Sequence, residues 1–277
     1  MDKQDFDTSD GAIAVDSPPN PHTPPVAREL DGAVAVLTMQ HPPHNLLGVA
    51  LTDALIDSMR WAAQHGARAV LLRSSLRNFC AGADLELFES ASRGEAPDLD
   101  ITELLRVFDR LPIPIVAAVH GVCVGGGFEL ALASDLIVAA ESAKIGSVEA
   151  TIGLNPLMGG IQRVTERAGA ARAKEMALLA RRYDPATLER WNIINRVVAP
   201  ERLEETALTL ARELANGPTI AHASTKTIVS HAVSYGVEAT DNAMKDLQRE
   251  FWKSNDLKVG LEALQEHGPG AARFEGR

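Results

Sequence analysis

Two glutamates in apolar surroundings are the residues best suited to acid–base chemistry in this sequence. Glu129 lies in the apolar stretch ELALA, and Glu149 follows 20 residues later in IGSVEATIGL. A carboxylate in an apolar setting loses its hydration and needs a compensating contact or a function. A helix-dipole position for Glu129 and a helix cap or loop contact for Glu149 are the structural alternatives. As a pair, the two carboxylates indicate a general acid and a general base.

Two glycine-containing turns accompany these glutamates: NFCAGADLELF at 78–88 and GVCVGGGFELALASD at 121–135. Small residues in such turns let a ligand approach backbone N–H groups, and a following helix adds partial positive charge, so an oxyanion can be held. Tight turns packed against neighbouring backbone would have the same composition. No Ser or Cys with a partnered His is evident, so an oxyanion hole here would stabilise an enolate. The predicted chemistry is proton transfer or addition beside a carbonyl.

Several other kinds of site are disfavoured by the 277-residue sequence. It has no G-x-S-x-G, H-E-x-x-H or G-K-[ST] motif, and the glycines from 121 to 127 do not form G-x-G-x-x-G. His41 and His44 have no neighbouring ligand cluster, so no metal site is predicted. A net charge of −10 leaves no basic surface for nucleic acid.

The turns must be positioned by a sheet, and the sequence alternates strand-like and helix-like segments. Buried strands are predicted at 34–39, 69–73, 114–120 and 135–140. Helices are predicted between them at 50–64, 101–110 and 128–134. This alternation is typical of βαβ units in a largely parallel sheet, so the fold class is α/β. Beyond about residue 158, helical spacing dominates, at 171–182, 201–215, 219–235 and 237–266.

The N-terminal segment differs in composition from the rest of the chain. Residues 1–28 contain five prolines and five aspartates, so we expect a disordered leader. No run of about 18 apolar residues could span a bilayer, and the acidic N-terminus does not resemble a signal peptide. The two isolated cysteines fit a reducing compartment. We therefore expect a cytoplasmic protein with no membrane partner.

The order and spacing of five motifs resemble the crotonase, or enoyl-CoA hydratase/isomerase, superfamily from about residue 29 to the C-terminus. The motifs are HNLL at 44–47, FCAGADL at 79–85, PIVAAVHGVCVGGGFELALASD at 114–135, IGSVEATIGLNPLMGGIQRV at 145–164 and INRVV at 194–198. The resemblance implies that the peptide N–H groups of Ala83 and Gly126 form an oxyanion hole for a coenzyme A thioester. It also implies that Glu129 orients or deprotonates water while Glu149 acts as general acid.

The resemblance further implies the substrate, the architecture and the assembly. The substrate would be an acyl-CoA thioester of fatty-acid or related lipid metabolism, with no separate cofactor because coenzyme A is part of that substrate. The fold would be a spiral core of ββα repeats at 29–200, followed by a helical trimerisation region at 201–277 in a homotrimer or homohexamer. Substrate-binding residues would be Asn45, Leu47, Ala81, Asp84, Leu85 and Gly125.

The expected activity is that of an enoyl-CoA hydratase, which is a lyase. The alternatives are another enzyme of the same superfamily and a non-catalytic protein of the same fold. A 3-enoyl-CoA isomerase would need essentially Glu149, and another crotonase-type acyl-CoA enzyme remains open. A catalytically silent scaffold or an RNA-binding protein of the same fold is disfavoured by the two glutamates and the acidic charge.

Two positions and one segment depart from the family pattern. Glu86 stands where Lys is frequent, Asn192 replaces a usual Gly, and the C-terminal sequence EHGPGAARFEGR lacks the usual ending. These departures bear on the coenzyme contacts and on acyl specificity, while the catalytic residues are retained. His120 is expected to be structural, and Cys80 and Cys123 are expected to be small core residues.

Overall fold

Eight strands and ten helices are present in residues 23–95 and 100–277, which the computed structural model describes. The strands are β1 (Val26–Asp31), β2 (Val34–Met39), β3 (Ala69–Ser74), β4 (Ile115–Val119), β5 (Val122–Val124), β6 (Leu136–Ala140), β7 (Lys144–Gly146) and β8 (Arg196–Val198). The helices are α1 (Val49–Gln64), α2 (Leu85–Ser92), α3 (Ile101–Arg110), α4 (Gly126–Leu132), α5 (Gly160–Leu179), α6 (Pro185–Arg190), α7 (Leu203–Ala215), α8 (Thr219–Tyr235), α9 (Val237–Leu247) and α10 (Asn255–His267).

A six-stranded sheet in the order β1-β2-β3-β4-β6-β8 forms the centre of the molecule. All neighbouring strands are parallel except β1 and β2. The central strands are apolar on both sides because α1 and α4 contribute to a core on one face and α7 packs on the other. The four predicted strands are confirmed as β2, β3, β4 and β6.

A second, smaller layer runs beside this sheet and carries the glycine turns. It consists of the parallel pair β5 and β7, extended by the bridges Cys80↔Cys123 and Leu47↔Ala83. Three times in succession, a strand of the large sheet is followed by an extended segment of the small layer: β3 by 80–83, β4 by β5, and β6 by β7. This repetition is the predicted spiral of ββα units, and it brings consecutive turns together at one site.

The core is longer at both ends than the sequence suggests. Strand β1 begins at Val26, which is buried, and Arg28 Nε donates to Ser58 Oγ at 2.9 Å. The predicted leader boundary at residue 28 therefore lies inside β1, an edge strand whose few apolar residues gave no strand pattern. Residues 1–22 of that predicted leader lie outside the described residues.

The predicted boundary at residue 201 also changes, because α7 belongs to the core. Its buried residues occur at helical spacing and pack on the large sheet: Leu203, Ala207, Ala211 and Ala215. The region after α7 is helical as predicted, but the expected continuous helix at 237–266 divides into α9 and α10. Ser254 ends the break, since its side chain accepts from Leu257 N at 3.2 Å and caps α10.

Among residues 23–95 and 100–277, every helix is too short or too polar to cross a bilayer.

We predict that Ala211→Leu destabilises the protein by about 1–3 kcal/mol, because the larger side chain overpacks the contact between α7 and the sheet. Ala211 is fully buried, whereas Thr209 on the same helix is exposed. Urea unfolding should show the loss for Ala211→Leu and less than about 0.5 kcal/mol of change for the control Thr209→Leu. Equal midpoints for the two variants would contradict this packing of α7.

Candidate active site

A cavity of about 280 Å³ lies where the two glycine turns meet. Apolar side chains form most of its wall, among them Leu85, Phe88, Ile101, Val148, Ile152 and Leu157. Glu129 and Glu149 are the ionisable side chains on the described part of this wall. Two acidic groups in an otherwise apolar cavity are the arrangement expected for acid–base work on a carbonyl compound.

Glu129 is buried in the first turn of α4 and is held by the chain that leads into α5. Its Oε1 accepts hydrogen bonds from Met158 N at 2.7 Å and Gly160 N at 2.8 Å. A Cβ at position 160 would lie 2.9 Å from Glu129 Cγ, so glycine permits this close approach. Burial raises the pKa of Glu129 to about 7, even though the two N–H donors favour the charged form.

Glu149 begins the 3-10 turn Glu149–Ile152 and faces the same cavity. Its two carboxylate oxygens are buried and have no hydrogen-bond partner among the described residues. Burial raises the pKa of Glu149 above its usual range. A Cβ built at Gly125 would lie 3.5 Å from Glu149 Oε1, which places the carboxylate beside the second glycine turn. Both carboxylate oxygens of Glu149 are therefore available to bind or transfer a proton in the cavity.

The two predicted oxyanion donors are close to each other. A Cβ built at Gly126 would lie 3.7 Å from Ala83 N. The Gly82–Ala83 peptide is oriented by Leu47, whose N–H donates to Gly82 O at 2.9 Å and whose carbonyl accepts from Asp84 N at 3.0 Å. Within residues 23–95 and 100–277, neither Ala83 N–H nor Gly126 N–H is committed to another acceptor. Both N–H groups are therefore available to an added acceptor.

The turns themselves approach each other because small residues line the contact. Cys80 pairs with the strand β5 through Cys80 N to Val122 O and Val124 N to Cys80 O, both at 3.2 Å. A Cβ at Gly127 would lie 2.7 Å from Cys80 Cβ, closer than a methyl group could be accommodated. Glycine at this position thus lets α4 start directly against the first turn.

The six predicted substrate-binding residues divide into two groups. Ala81, Leu85 and Gly125 line the cavity. The other three are framework residues in the structure: the buried Asn45 amide bonds Ser74 Oγ at 2.8 Å and Phe79 O at 3.0 Å, Leu47 orients the Ala83 peptide, and Asp84 Oδ1 accepts from Glu86 N at 3.1 Å. Their contact with substrate stays a prediction.

Other residues singled out from the sequence have structural roles. His120 Nε2 lies 2.8 Å from Leu76 O. Asn192 has a left-handed φ of 60°, a conformation that glycine and asparagine adopt readily, and this accounts for the glycine that is usual at the matching family position. Cys80 and Cys123 are fully buried, and burial raises the pKa of the Cys80 thiol to about 12. They are inert core residues as predicted. The sequence analysis did not predict that Met158 N–H and Gly160 N–H bind Glu129. The pair of glycines just before a helix was the signal that could have indicated it.

The enoyl-CoA hydratase/isomerase family model matches residues 29–276. A relative from Rhizobium meliloti named "Probable enoyl-CoA hydratase" is 32% identical over 238 residues, which cover 85% of this chain and 93% of the relative. A 1,2-epoxyphenylacetyl-CoA isomerase from Escherichia coli is 36% identical over 203 residues, covering 71% of this chain and 78% of the isomerase. The chain belongs to the enoyl-CoA hydratase/isomerase family.

A solved structure supports the same assignment and the crotonase fold. An enoyl-CoA hydratase subunit from Geobacillus kaustophilus superposes with a TM-score of 0.82 at 30% identity, covering 91% of this chain and 98% of that one. The spiral arrangement and the paired turns described above are therefore those of a family of acyl-CoA enzymes.

We predict that Gly127→Ala disrupts the oxyanion site, because its methyl group would force apart the turns that carry Ala83 and Gly126. Removing one oxyanion donor typically costs about 10²-fold or more in kcat, so a loss of that size is expected in the enzyme's own reaction. Gly48→Ala is the matched control, since its Cβ would meet nothing closer than 3.5 Å. Wild-type turnover by Gly127→Ala would contradict the close contact of the turns.

We also predict that Glu129→Gln becomes more stable relative to wild type as the pH rises. The folded protein holds a proton on Glu129 up to about pH 7, whereas the unfolded chain releases it near the usual glutamate pKa of 4.5. Wild-type stability therefore falls across this interval by up to about 3 kcal/mol, and Gln removes that loss. Urea unfolding at pH 5 and pH 8 measures the difference; a stability gap independent of pH would show that the pKa of Glu129 is not raised.

Proposed function

We propose that this protein adds water across the C2–C3 double bond of a 2-enoyl-CoA thioester and forms a 3-hydroxyacyl-CoA. The observation that carries the proposal is the presence of two buried carboxylates and two uncommitted peptide N–H groups in one apolar cavity. The apolar wall suits an acyl chain, and the reaction needs no cofactor beyond the coenzyme A of the substrate.

In this mechanism, the thioester oxygen accepts hydrogen bonds from Ala83 N–H and Gly126 N–H. These bonds draw electron density toward the oxygen and make C3 electrophilic. Water attacks C3 while Glu129 accepts its proton, and the negative charge passes to the thioester oxygen as an enolate. Glu149 then gives a proton to C2, which restores the carbonyl. The hydroxyl of the water is then on C3, its proton is on Glu129, and C2 carries the proton that Glu149 held. Transfer of one proton from Glu129 to Glu149 restores the starting state, so the net reaction adds one water molecule across the double bond.

The environments of the two glutamates support different roles. The fixed Oε1 of Glu129 leaves the second oxygen to orient water, and a pKa of about 7 suits proton exchange near neutral pH. Glu149 has two unused acceptor atoms and a raised pKa, so it can carry a proton in the folded enzyme.

Isomerisation of 3-enoyl-CoA to 2-enoyl-CoA is the second candidate. The unpartnered oxygens of Glu149 favour it, because a single carboxyl group could remove a proton from C2 and return it to C4. Glu129 would then have no direct part in the chemistry, so the two reactions make different demands on the two glutamates.

We also propose a homotrimer or homohexamer. The support is a set of exposed apolar side chains on and beside the C-terminal helices, including Val229, Val233, Tyr235, Val237, Trp252 and Leu261. Apolar surface of this kind is typical of contacts between protein chains.

We predict that Glu129→Gln and Glu149→Gln each lower the kcat of hydration by about 10²-fold or more with little change in KM. Gln keeps the shape of the side chain but cannot exchange a proton. Glu141→Gln is the control, because Glu141 is exposed and lies outside the cavity. Each variant would be assayed for conversion of 2-enoyl-CoA to 3-hydroxyacyl-CoA.

The same variants separate the two candidate reactions. If the enzyme is an isomerase, Glu149→Gln alone abolishes conversion of 3-enoyl-CoA, while Glu129→Gln retains most of it. Hydration at wild-type rates by both variants would overturn the proposed mechanism and leave the glutamates structural. Short and long 2-enoyl-CoA and 3-enoyl-CoA substrates, with product identification, would define the acyl preference.

A further inference from the structure

Glu129 depends on the three residues 158–160 for its position. Two of their backbone N–H groups hold Oε1, and α5 begins at Gly160. Gly159 between them has a left-handed φ of 81°, so this turn has a conformation that other residues rarely adopt. Whatever fixes the backbone of Gly159 also fixes the donors to Glu129.

Arg163 packs its side chain on this turn at Gly159, next to Gly160, which contacts Glu129. Its backbone N–H donates to Gly159 O at 3.1 Å, in the first turn of α5. Its guanidinium folds back over Gly159 so closely that a Cβ there would overlap Nη1. The Arg163 side chain is only 16% exposed, and Leu105 of α3 lies 3.7 Å from the same built Cβ. The turn is therefore enclosed between the guanidinium, α3 and the carboxylate of Glu129.

Asp109 at the end of α3 anchors this guanidinium. Arg163 Nη2 lies 3.1 Å from both Asp109 Oδ1 and Asp109 Oδ2. Asp109 is 54% exposed, so the ion pair itself contributes little to global stability. The ion pair instead holds the long Arg163 side chain in one orientation.

We propose that Arg163, anchored by Asp109, is a positioning residue for Glu129 that acts through the backbone of Gly159 and Gly160. The expected effect on kcat rests on the proposed function, whereas the expected effect on the position and pKa of Glu129 does not. Arg163 does not line the cavity and touches no reacting atom. It determines where the Met158 and Gly160 N–H groups point, and hence how the water-orienting carboxylate is held.

The proposal predicts a change in the titration of Glu129. Glu149 lines the same cavity as Glu129 and raises its pKa, whereas Arg163 of α5 and Asp109 of α3 pair with each other beside Gly159. If the turn loosens, Glu129 loses N–H donors that favour its charged form, and its pKa should rise. The change in charge alone would give shifts of opposite sign in Arg163→Gln and Asp109→Asn and no shift in Arg163→Lys, whereas loosening of the turn raises the pKa in all three variants.

The test compares Arg163→Gln, Arg163→Lys and Asp109→Asn with wild type. Arg106→Gln is the matched control, because Arg106 on α3 also pairs with an acidic side chain, Glu103 at 2.5 Å, and its side chain has no hydrogen bond or ion pair to residues 158–160 in the described part of the chain. Glu129 would be titrated in protein labelled with ¹³C at the glutamate carboxyl carbon, with its resonance assigned by loss in Glu129→Gln. Thermal unfolding of each variant would verify that it is folded.

Arg163→Gln should raise the apparent pKa of Glu129 by about 0.5–1 unit and lower the kcat of hydration about tenfold with KM nearly unchanged. Arg163→Lys should also raise the pKa of Glu129 and lower kcat, since a lysine lacks the planar group that covers Gly159. Asp109→Asn should give a smaller shift of the same sign, and Arg106→Gln should give none. Should Arg163→Gln not fold, Arg163→Lys and Asp109→Asn decide the question.

An unchanged pKa of Glu129 in the folded Arg163 and Asp109 variants would overturn the positioning role. A wild-type enzyme that does not hydrate any 2-enoyl-CoA, but shows the predicted titration shift in these variants, would overturn the proposed function and leave the positioning role standing. The two failures are therefore distinguishable.

Discussion

Two carboxylates share one apolar cavity, and the free-energy cost of burying them determines how the surrounding chain is arranged. An ionised carboxylate that loses its water needs either hydrogen-bond donors or a bound proton. Glu129 has two backbone donors, and its pKa is raised to about 7; Glu149 has none in the described residues, and its pKa is also raised. The apolar wall that raises both values is the same wall that would exclude bulk water from a reacting acyl chain.

This cost is tolerable because rigid elements surround the site. The large sheet is covered on both faces, and the parallel register of its strands sets where each turn begins. The small layer then fixes the turns by backbone hydrogen bonds, as between Cys80 and β5, and by glycines that permit contact too close for a side chain. Preorganised N–H donors obtained in this way need no rearrangement when charge develops on an oxygen, which is the main requirement of an oxyanion hole.

The sequence was most informative where a side chain or a buried strand leaves a strong local pattern. β2 and α8 begin and end at the predicted residues, because a continuous apolar run defines β2, and Pro218 and Gly236 flank α8. β1 was missed because an edge strand buries few side chains, and the start of α5 was missed because Gly159, Gly160 and Gly169 interrupt its helical pattern. The presence of Glu129 and Glu149 on one apolar cavity was predictable from carboxylates in apolar sequence. The backbone roles of Leu47, Met158 and Gly160 were not, since a peptide N–H leaves no trace in residue type.

The central claim is that the two glutamates and the two N–H groups add the elements of water to a 2-enoyl thioester. The most direct measurement is to incubate the enzyme with a short 2-enoyl-CoA in H₂¹⁸O and, separately, in D₂O, and to locate the label by mass spectrometry and NMR. The account predicts a 3-hydroxyacyl-CoA with ¹⁸O at C3 from the first reaction and deuterium at C2 from the second. A product that takes up deuterium but no ¹⁸O at C3, or a substrate that is returned unlabelled, would contradict it.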